Sequence, residues 1–306
     1  MRWGAVVAAG GRGERFGRPK QFVEIAGLPM LGWSIRAFAS MSEIVDIVIA
    51  IDPALVTRAE ELLRQIAPDC PARVVVGGMT RRESVKHGIN ALGDGVEAVL
   101  IHDGARPLVR VQNVRAGMRA VRPGRGAVLA TPVIDTIKVV DKDSLRVEKT
   151  LDRSMLWAAQ TPQFGMLADF RRAYTLNEPA TDDTALLERI GVEVTIVPSQ
   201  HANFKVTVPE DLTQAELLLR ERVESGVVET DMLLVEIFGG LGMIDAICRE
   251  IEARGGRVDA IERDLPRGAA VRAYLRADRL RDFETSFVPL ADGSATLTVH
   301  DVGGIV

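Results

Sequence analysis

Cysteine is nearly absent. Cys70 and Cys248 are the two in 306 residues, far apart and without a second pair, so no disulfide framework or thiolate metal centre is available, and both read as buried or idle thiols. The four histidines, His87, His102, His201 and His300, show no ligand spacing, which argues against a protein zinc site. No apolar stretch reaches the ~20 residues that cross a bilayer. The chain also enters its first strand directly, with no secretory n-region or cleavage site, so a cytoplasmic location and no membrane partner are expected. An excess of positive charge is missing too: the net charge of −4 excludes the broad basic footprint of a nucleic-acid-binding protein. Lysine is scarce, with six (positions 20, 86, 138, 142, 149 and 205) among 38 basic residues, which makes each one noticeable.

What is present is an ordinary globular composition, 47% hydrophobic and 26% charged, long enough for one large domain and a small one. Apolar strand-like runs at Trp3–Ala8, Val45–Ile51, Arg73–Val76, Ala98–His102 and Ala127–Ala130 alternate with amphipathic runs at Leu31–Ser40, Ala54–Ile66, Arg81–Leu92 and Val111–Val121. That alternation predicts a mostly parallel sheet covered by helices on both faces, with ligands outside the carboxyl ends of the strands. Pro53 and Thr80 are the helix start signals. Between Val133 and Trp157 the pattern breaks into short extended pieces, Asp135–Val140 and Arg146–Thr150, around a turn at Asp141–Ser144. This predicts a protruding hairpin arm that needs something to pack against. A helical run over Pro209–Val223 closes a first domain, 1–226. The segment 227–306 then reads strand, helix, strand, strand, short helix near Ala277–Thr285, strand, the order of a small ferredoxin-like α+β domain.

The run from Val6 to Lys20, Val-Val-Ala-Ala-Gly-Gly-Arg-Gly-Glu-Arg-Phe-Gly-Arg-Pro-Lys, follows the first strand and is built for phosphate. Its glycines let backbone N–H groups approach anionic oxygen, while Arg15 and Lys20 supply full charge. Spacing excludes a dinucleotide fingerprint, since Gly11 and Gly13 are followed by Phe16. It also excludes a Walker loop, since Lys20 sits between Pro19 and Gln21. Gly-x-Arg followed by Pro-Lys instead resembles the signature loop of sugar-phosphate nucleotidyltransferases. Three further motifs sit at strand ends or before a helix. In His102-Asp103-Gly104-Ala105-Arg106-Pro107 a carboxylate is placed to hold Mg²⁺ beside substrate phosphates. In Gly77-Gly78-Met79-Thr80-Arg81-Arg82-Glu83-Ser84, Ser84 and the glycine backbone can read a nucleobase edge, or Thr80 can simply cap a helix. In Asn203-Phe204-Lys205-Val206-Thr207 a lysine flanked by apolar residues points into a cleft.

Together these motifs resemble the 2-C-methyl-D-erythritol 4-phosphate cytidylyltransferase family of non-mevalonate isoprenoid biosynthesis, over roughly residues 1–222. The resemblance implies a Rossmann-like nucleotidyltransferase fold with a mixed sheet and an arm at about 133–157. It also implies transfer of CMP from CTP to the polyol phosphate, with release of pyrophosphate, Mg²⁺ as cofactor, and a homodimer embraced through the arm. Carried over residue by residue, Arg15, Lys20, Arg153 and Lys205 would be catalytic. Ala8, Ala9, Gly10, Gly11, Gly77, Ser84, Asp103 and Gly104 would hold the nucleotide, and Asp103, Arg106, Thr136, Arg153, Thr161 and Thr181 the acceptor, with Asp103 also on the metal. Thr136 and Arg153 would act across the dimer. Ribitol 5-phosphate cytidylyltransferase and a non-catalytic nucleotide sensor are the alternatives. The last ~80 residues resemble the C-terminal ferredoxin-like domain of elongation factor G in Ala253–Val258 and Gly293–Thr298. From position 231 onward, nine Arg against 13 Asp and Glu give 9 − 13 = −4, so an oligomerisation or regulatory module is expected there rather than an RNA-binding one.

Overall fold

Near-continuous apolar runs have no polar face to give to water, and in a computed structural model of the protein four of the five are largely buried on both sides, while Arg73–Val76 forms a half-exposed edge strand. The structure describes residues 1–11, 16, 19–67, 70–176, 180–224, 232–239, 246, 248–249, 251, 257–265, 268–276 and 296–300. The chain divides into two units, Met1–Val223 and Glu224–Val306. The first is organised on a seven-stranded sheet. Its strands are β1 (Trp3–Ala8), β2 (Ile44–Ile51), β3 (Ala72–Val76), β4 (Ala98–Asp103), β5 (Arg125–Pro132), β8 (Trp157–Met166) and β9 (Glu193–Pro198). A separate hairpin supplies β6 (Lys138–Val140) and β7 (Val147–Thr150).

The order across the large sheet is β9-β5-β8-β4-β1-β2-β3. β1 is parallel to β2 and β4, β2 to β3, and β9 to β5, while β8 runs antiparallel to both β4 and β5. The sheet is therefore mixed. From β1 the chain winds outward through β2 and β3, then returns to lay β4 on the other side of β1. The crevice between the carboxyl ends of β1 and β4 is thus a topological switch point, where a ligand finds two diverging loops and room between them.

Helices α1 (Met30–Ala39), α2 (Val56–Ile66), α3 (Arg81–Ala91), α4 (Val111–Ala120), α5 (Leu167–Ala173), α6 (Thr184–Arg189) and α7 (Pro209–Glu224) complete the unit. Thr80 starts α3 with a reciprocal cap: its hydroxyl accepts from the Glu83 N–H and the Glu83 carboxylate accepts from the Thr80 N–H, both at 3.1 Å. The run expected as one helix from Ala54 begins instead with a 3₁₀ turn, Pro53–Leu55, before α2. Asp52 accepts from the Ala54 N–H and Pro53 fixes the first φ, so the entry turn is tighter than an α-turn. Cys70 and Cys248 form no disulfide and are only partly buried, rather than enclosed. No described helix is long and apolar enough to cross a membrane.

The arm spans the expected region. Its two strands pair only with each other, and the Asp141 carboxylate closes the turn by accepting the N–H and hydroxyl of Ser144 at 2.8 and 2.6 Å. Ile134, Leu145, Val147 and Met155 are 55–79% exposed along it. In the second unit, Met232–Gly239, Arg257–Leu265, Gly268–Arg276 and Thr296–His300 form an antiparallel sheet in which the first strand lies between the third and the fourth. The short helix expected near 277–285 lies outside the described residues.

One packing contact sets the spacing of α4 on the sheet. Phe164 of β8 is fully buried, edge-on to Trp3 at 6.1 Å, and a Cβ on Gly117 would come within 2.2 Å of its ring. Gly117→Ala should gain up to ~1 kcal/mol of helix propensity. It should lose more to overpacking, for a net destabilisation of about 1–2 kcal/mol. Urea unfolding would read this as a lower midpoint with an unchanged slope; an unchanged or raised midpoint would show that the Phe164 ring yields.

Candidate active site

The carboxyl ends of β1 to β4 open into one cleft of about 1170 Å³. Ala8, Ala9, Gly10, Gly11 and Lys20 line it from the first loop, Gly77, Gly78, Arg81 and Ser84 from the β3–α3 turn, and Asp103, Gly104 and Lys205 from the far wall. Seven sequence positions singled out for nucleotide (Ala8, Ala9, Gly10, Gly11, Gly77, Ser84, Gly104) therefore share one cavity with Asp103, Lys20 and Lys205. Among the described residues, the N–H groups of Gly10 and Gly11 donate to no protein acceptor. They are available to an anion.

Asp103, at the last position of β4, is the electrostatic centre. Its Oδ1 accepts from Arg81 Nε at 2.7 Å and its Oδ2 from Lys205 Nζ at 2.8 Å. Arg81 also grips Asp183 through both terminal nitrogens, at 3.0 and 2.7 Å, and Asp183 takes a further hydrogen bond from the Tyr174 hydroxyl. Burial alone would push the Asp103 carboxyl up, but the charges and hydrogen bonds of Arg81 and Lys205 outweigh it and hold the group ionised, far below the usual carboxylate range. Burial likewise works against the Arg81 charge, and the two carboxylates overcome it. Burial and the neighbouring Asp183 raise the Tyr174 phenol, which stays protonated and donates.

Backbone bonds join the segments that carry these groups. Val206 N–H donates to Ala105 O at 2.8 Å, Arg106 Nη1 to Asn203 O at 2.7 Å, and Lys20 Nζ to Val206 O at 2.8 Å. The Asp211 carboxylate accepts from the Thr207 and Val208 N–H groups at 2.6 and 3.0 Å, starting α7 directly after the Lys205 segment. Lys20 and Lys205, 185 positions apart, thus face one cavity.

Other positions expected at the acceptor lie elsewhere. Arg106 does not line the cleft; its Nη1 donates to the Asn203 carbonyl, so that it acts as a strut for the Lys205 segment. Thr161 is buried beneath the site: its hydroxyl accepts the Asp103 N–H at 3.0 Å and donates to His102 Nδ1 at 3.1 Å, so it supports Asp103 rather than facing the cavity. Thr136, Arg153 and Thr181 are exposed and outside this cleft, with Arg153 Nη1 donating to Ile134 O at the root of the arm. Arg15 falls outside the described residues. The Ser84 hydroxyl is engaged locally, accepting from the Gly78 N–H and donating to the Thr80 carbonyl, each at 3.0 Å, and so shapes the Gly77-Gly78 turn.

Arg81, Asp183 and Tyr174 were not singled out from the sequence. A signal existed for the first: an arginine in the opening turn of a helix faces the positive end of the helix dipole and needs an acidic partner.

The family described as 2-C-methyl-D-erythritol 4-phosphate cytidylyltransferase matches residues 4–221. A protein of that name from Rubrobacter xylanophilus is 45% identical over 233 residues, 72% of this chain and 96% of its own. Another from Geobacillus kaustophilus is 41% identical over 229 residues, 73% of this chain and 99% of its own. Among solved structures, a 4-diphosphocytidyl-2C-methyl-D-erythritol synthase from Anaerococcus prevotii superposes with a TM-score of 0.64 at 26% identity, covering 72% of this chain and 99% of the other. The 2-C-methyl-D-erythritol 4-phosphate cytidylyltransferase from Thermus thermophilus gives a TM-score of 0.57 at 28% identity, covering 72% and 100%.

His102 gives a pH test of the support beneath Asp103. Its ring is fully buried, with Nε2 3.1 Å from the Arg106 carbonyl; a carbonyl only accepts, so Nε2 carries the proton and Nδ1 accepts from Thr161. Burial pushes the ring down to about 3. The unfolded chain, with an ordinary histidine near 6.5, then takes up the proton first. This contribution to stability is complete above pH ~6.5 and falls as pH drops toward about 3, by about 1.4 kcal/mol per unit. Between pH 7 and 5 the wild type should therefore lose about 2 kcal/mol more than His102→Gln in urea titrations. Equal losses would show that His102 titrates normally in the fold.

Proposed function

The chain belongs to the 2-C-methyl-D-erythritol 4-phosphate cytidylyltransferase family and transfers CMP from CTP to 2-C-methyl-D-erythritol 4-phosphate, releasing pyrophosphate; we propose that the β1–β4 cleft performs this reaction, with the residues below in named roles. The observation that carries this reading is the convergence of the Gly10-Gly11 loop, Lys20, Asp103 and Lys205 on one strand-end cavity. Phosphoryl transfer of this kind demands positioning and charge neutralisation more than covalent help. The unpartnered N–H groups of Gly10 and Gly11 would hold triphosphate oxygens, with Lys20 and Arg15 balancing the charge that grows on the departing pyrophosphate. Gly77, Gly78 and Ser84 would hold the cytosine, and Ala8, Ala9 and Gly104 the ribose end.

The acceptor phosphate would enter beside Lys205, whose ammonium is held in place by Asp103, and one of its oxygens would attack the α-phosphorus opposite the pyrophosphate. Asp103 has one N–H donor on each carboxylate oxygen and lone pairs to spare. That fits Mg²⁺, which takes one or two carboxylates and fills its shell with phosphate oxygens and water. Bound there it would neutralise the triphosphate. Among the described residues there is no group of three or more acidic, histidine or cysteine ligands, so the nucleotide would supply much of the coordination.

The arm completes the reading. An isolated two-stranded ribbon is marginal in water, and one carrying Ile134, Leu145, Val147 and Met155 exposed favours packing on a second copy. Thr136 and Arg153 at its root would then reach the partner's acceptor site. The C-terminal unit reads as a ferredoxin-like accessory module of regulatory or oligomerising role. Its sheet order, with the first strand between the third and fourth, supports that fold, and the resemblance to elongation factor G stands as the accompanying proposal.

Two measurements test this. Pyrophosphate release from CTP and Mg²⁺ should require 2-C-methyl-D-erythritol 4-phosphate and fail with ribitol 5-phosphate. Lys20→Ala should lower kcat about 10²- to 10³-fold with an unchanged melting temperature. Near-normal turnover of that variant would remove Lys20 from the mechanism. For the arm, Lys20→Ala and Arg153→Ala chains, each inactive alone, should recover roughly a quarter of wild-type turnover when mixed and re-equilibrated, because half the dimers then hold one intact composite site. No recovery would place Arg153 outside the partner's site.

A further inference from the structure

Gln21 lines the cleft without a role in the reaction as read above, yet its side chain is tied into the phosphate loop from below. It is 3% exposed and sits in the 3₁₀ turn Lys20–Phe22, directly after Lys20. Its Nε2 donates twice, to the Ala9 carbonyl and to the Gly11 carbonyl, the latter at 2.6 Å. Carbonyls only accept, so the amide cannot be turned the other way. Both of its protons are spent on the loop, and its Oε1 is left buried with no partner among the described residues.

The consequence lies in the geometry of the peptide unit. A trans peptide is planar, with its C=O and N–H opposed, so pinning the Ala9 carbonyl onto Gln21 turns the Gly10 N–H the opposite way. The Ala9 N–H is itself spent on the Ala50 carbonyl at 2.8 Å, whereas those of Gly10 and Gly11 donate to no acceptor among the described residues. Without the clamp, the Ala9–Gly10 peptide can flip at the glycine and present carbonyl oxygen to the phosphates, replacing attraction by repulsion.

We infer that Gln21 is a positioning residue for the triphosphate: it clamps the Ala9 carbonyl away from the ligand, which turns the Gly10 N–H of the same peptide unit toward it, and it keeps the Gly11 carbonyl turned away as well. The inference rests on reading the cleft as the CTP site. It predicts a defect confined to the phosphate part of the ligand.

Gln21→Glu keeps the shape but replaces both donors by acceptors, and Gln21→Met keeps the length with no donor. Both should weaken CTP and inorganic pyrophosphate roughly 10- to 100-fold. The inhibition constant of cytidine and the KM for the acceptor should stay within about threefold. Unchanged pyrophosphate affinity, or equal weakening of cytidine and pyrophosphate, would overturn the clamp. Failure of the wild type to turn over CTP with the acceptor would sink the functional reading instead, while pyrophosphate binding would still test the clamp. If neither variant folds, the wild type answers by NMR. The Gln21 side-chain amide protons should be protected from exchange and the Gly10 amide should shift on adding pyrophosphate, whereas an unprotected side chain or an unmoved Gly10 resonance would overturn it.

Discussion

A carboxylate buried at the end of a central strand has to be matched by positive charge, and the matching of Asp103 organises the strand-end cleft. Its two partners come from opposite ends of the first unit: Arg81 opens a helix after β3, and Lys205 precedes the last helix. Asp183 closes the other side of Arg81, so two buried carboxylates are bridged by one arginine, with the half-exposed Lys205 on the outer oxygen of Asp103. Such a set adds little net stability, because desolvation offsets most of the attraction, yet removing Arg81 would leave two buried carboxylates without their shared partner. It works as a geometric specification, fixing where the β4 end, the α3 start and the Lys205 segment stand relative to one another.

The neutral layer beneath serves the same end. His102, Thr161 and the Arg106 carbonyl form a chain of hydrogen bonds that takes up the Asp103 backbone N–H, so both the side chain and the main chain of Asp103 are held. Across the cleft, the opposite problem is met by opposite means. There the Gln21 amide reaches up from the next turn to the Ala9 and Gly11 carbonyls. One wall is organised by charge and the other by backbone orientation.

Much of this was legible in the chain itself. The apolar runs that became β1 to β5 and the capping signal at Thr80 are local facts, since periodicity and cap chemistry act within a few residues. The arm was legible for the complementary reason, as an exposed polar interruption between apolar strands. Strand β8 was not foreseen, because its exposed N-terminal end and buried C-terminal half give no single period. The 3₁₀ entry to α2 was likewise missed, because one proline and one aspartate tightened a turn that composition read as helix.

The residues of the site divide along the same line. Sequence alone determined the chemistry on offer: a glycine loop with Lys20, an acid at a strand end in Asp103, and a lone lysine at 205, each marked by its immediate neighbours. Only the tertiary structure decided which of these act together. It brought Lys205 onto Asp103, withdrew Arg106 and Thr161 into supporting positions, and raised Arg81, Asp183 and Gln21 from background to structural necessity. The physical reason is that a partner in a buried ion pair or a carbonyl clamp is chosen by distance in space, and sheet order, which sets that distance, is written in no local stretch of the chain.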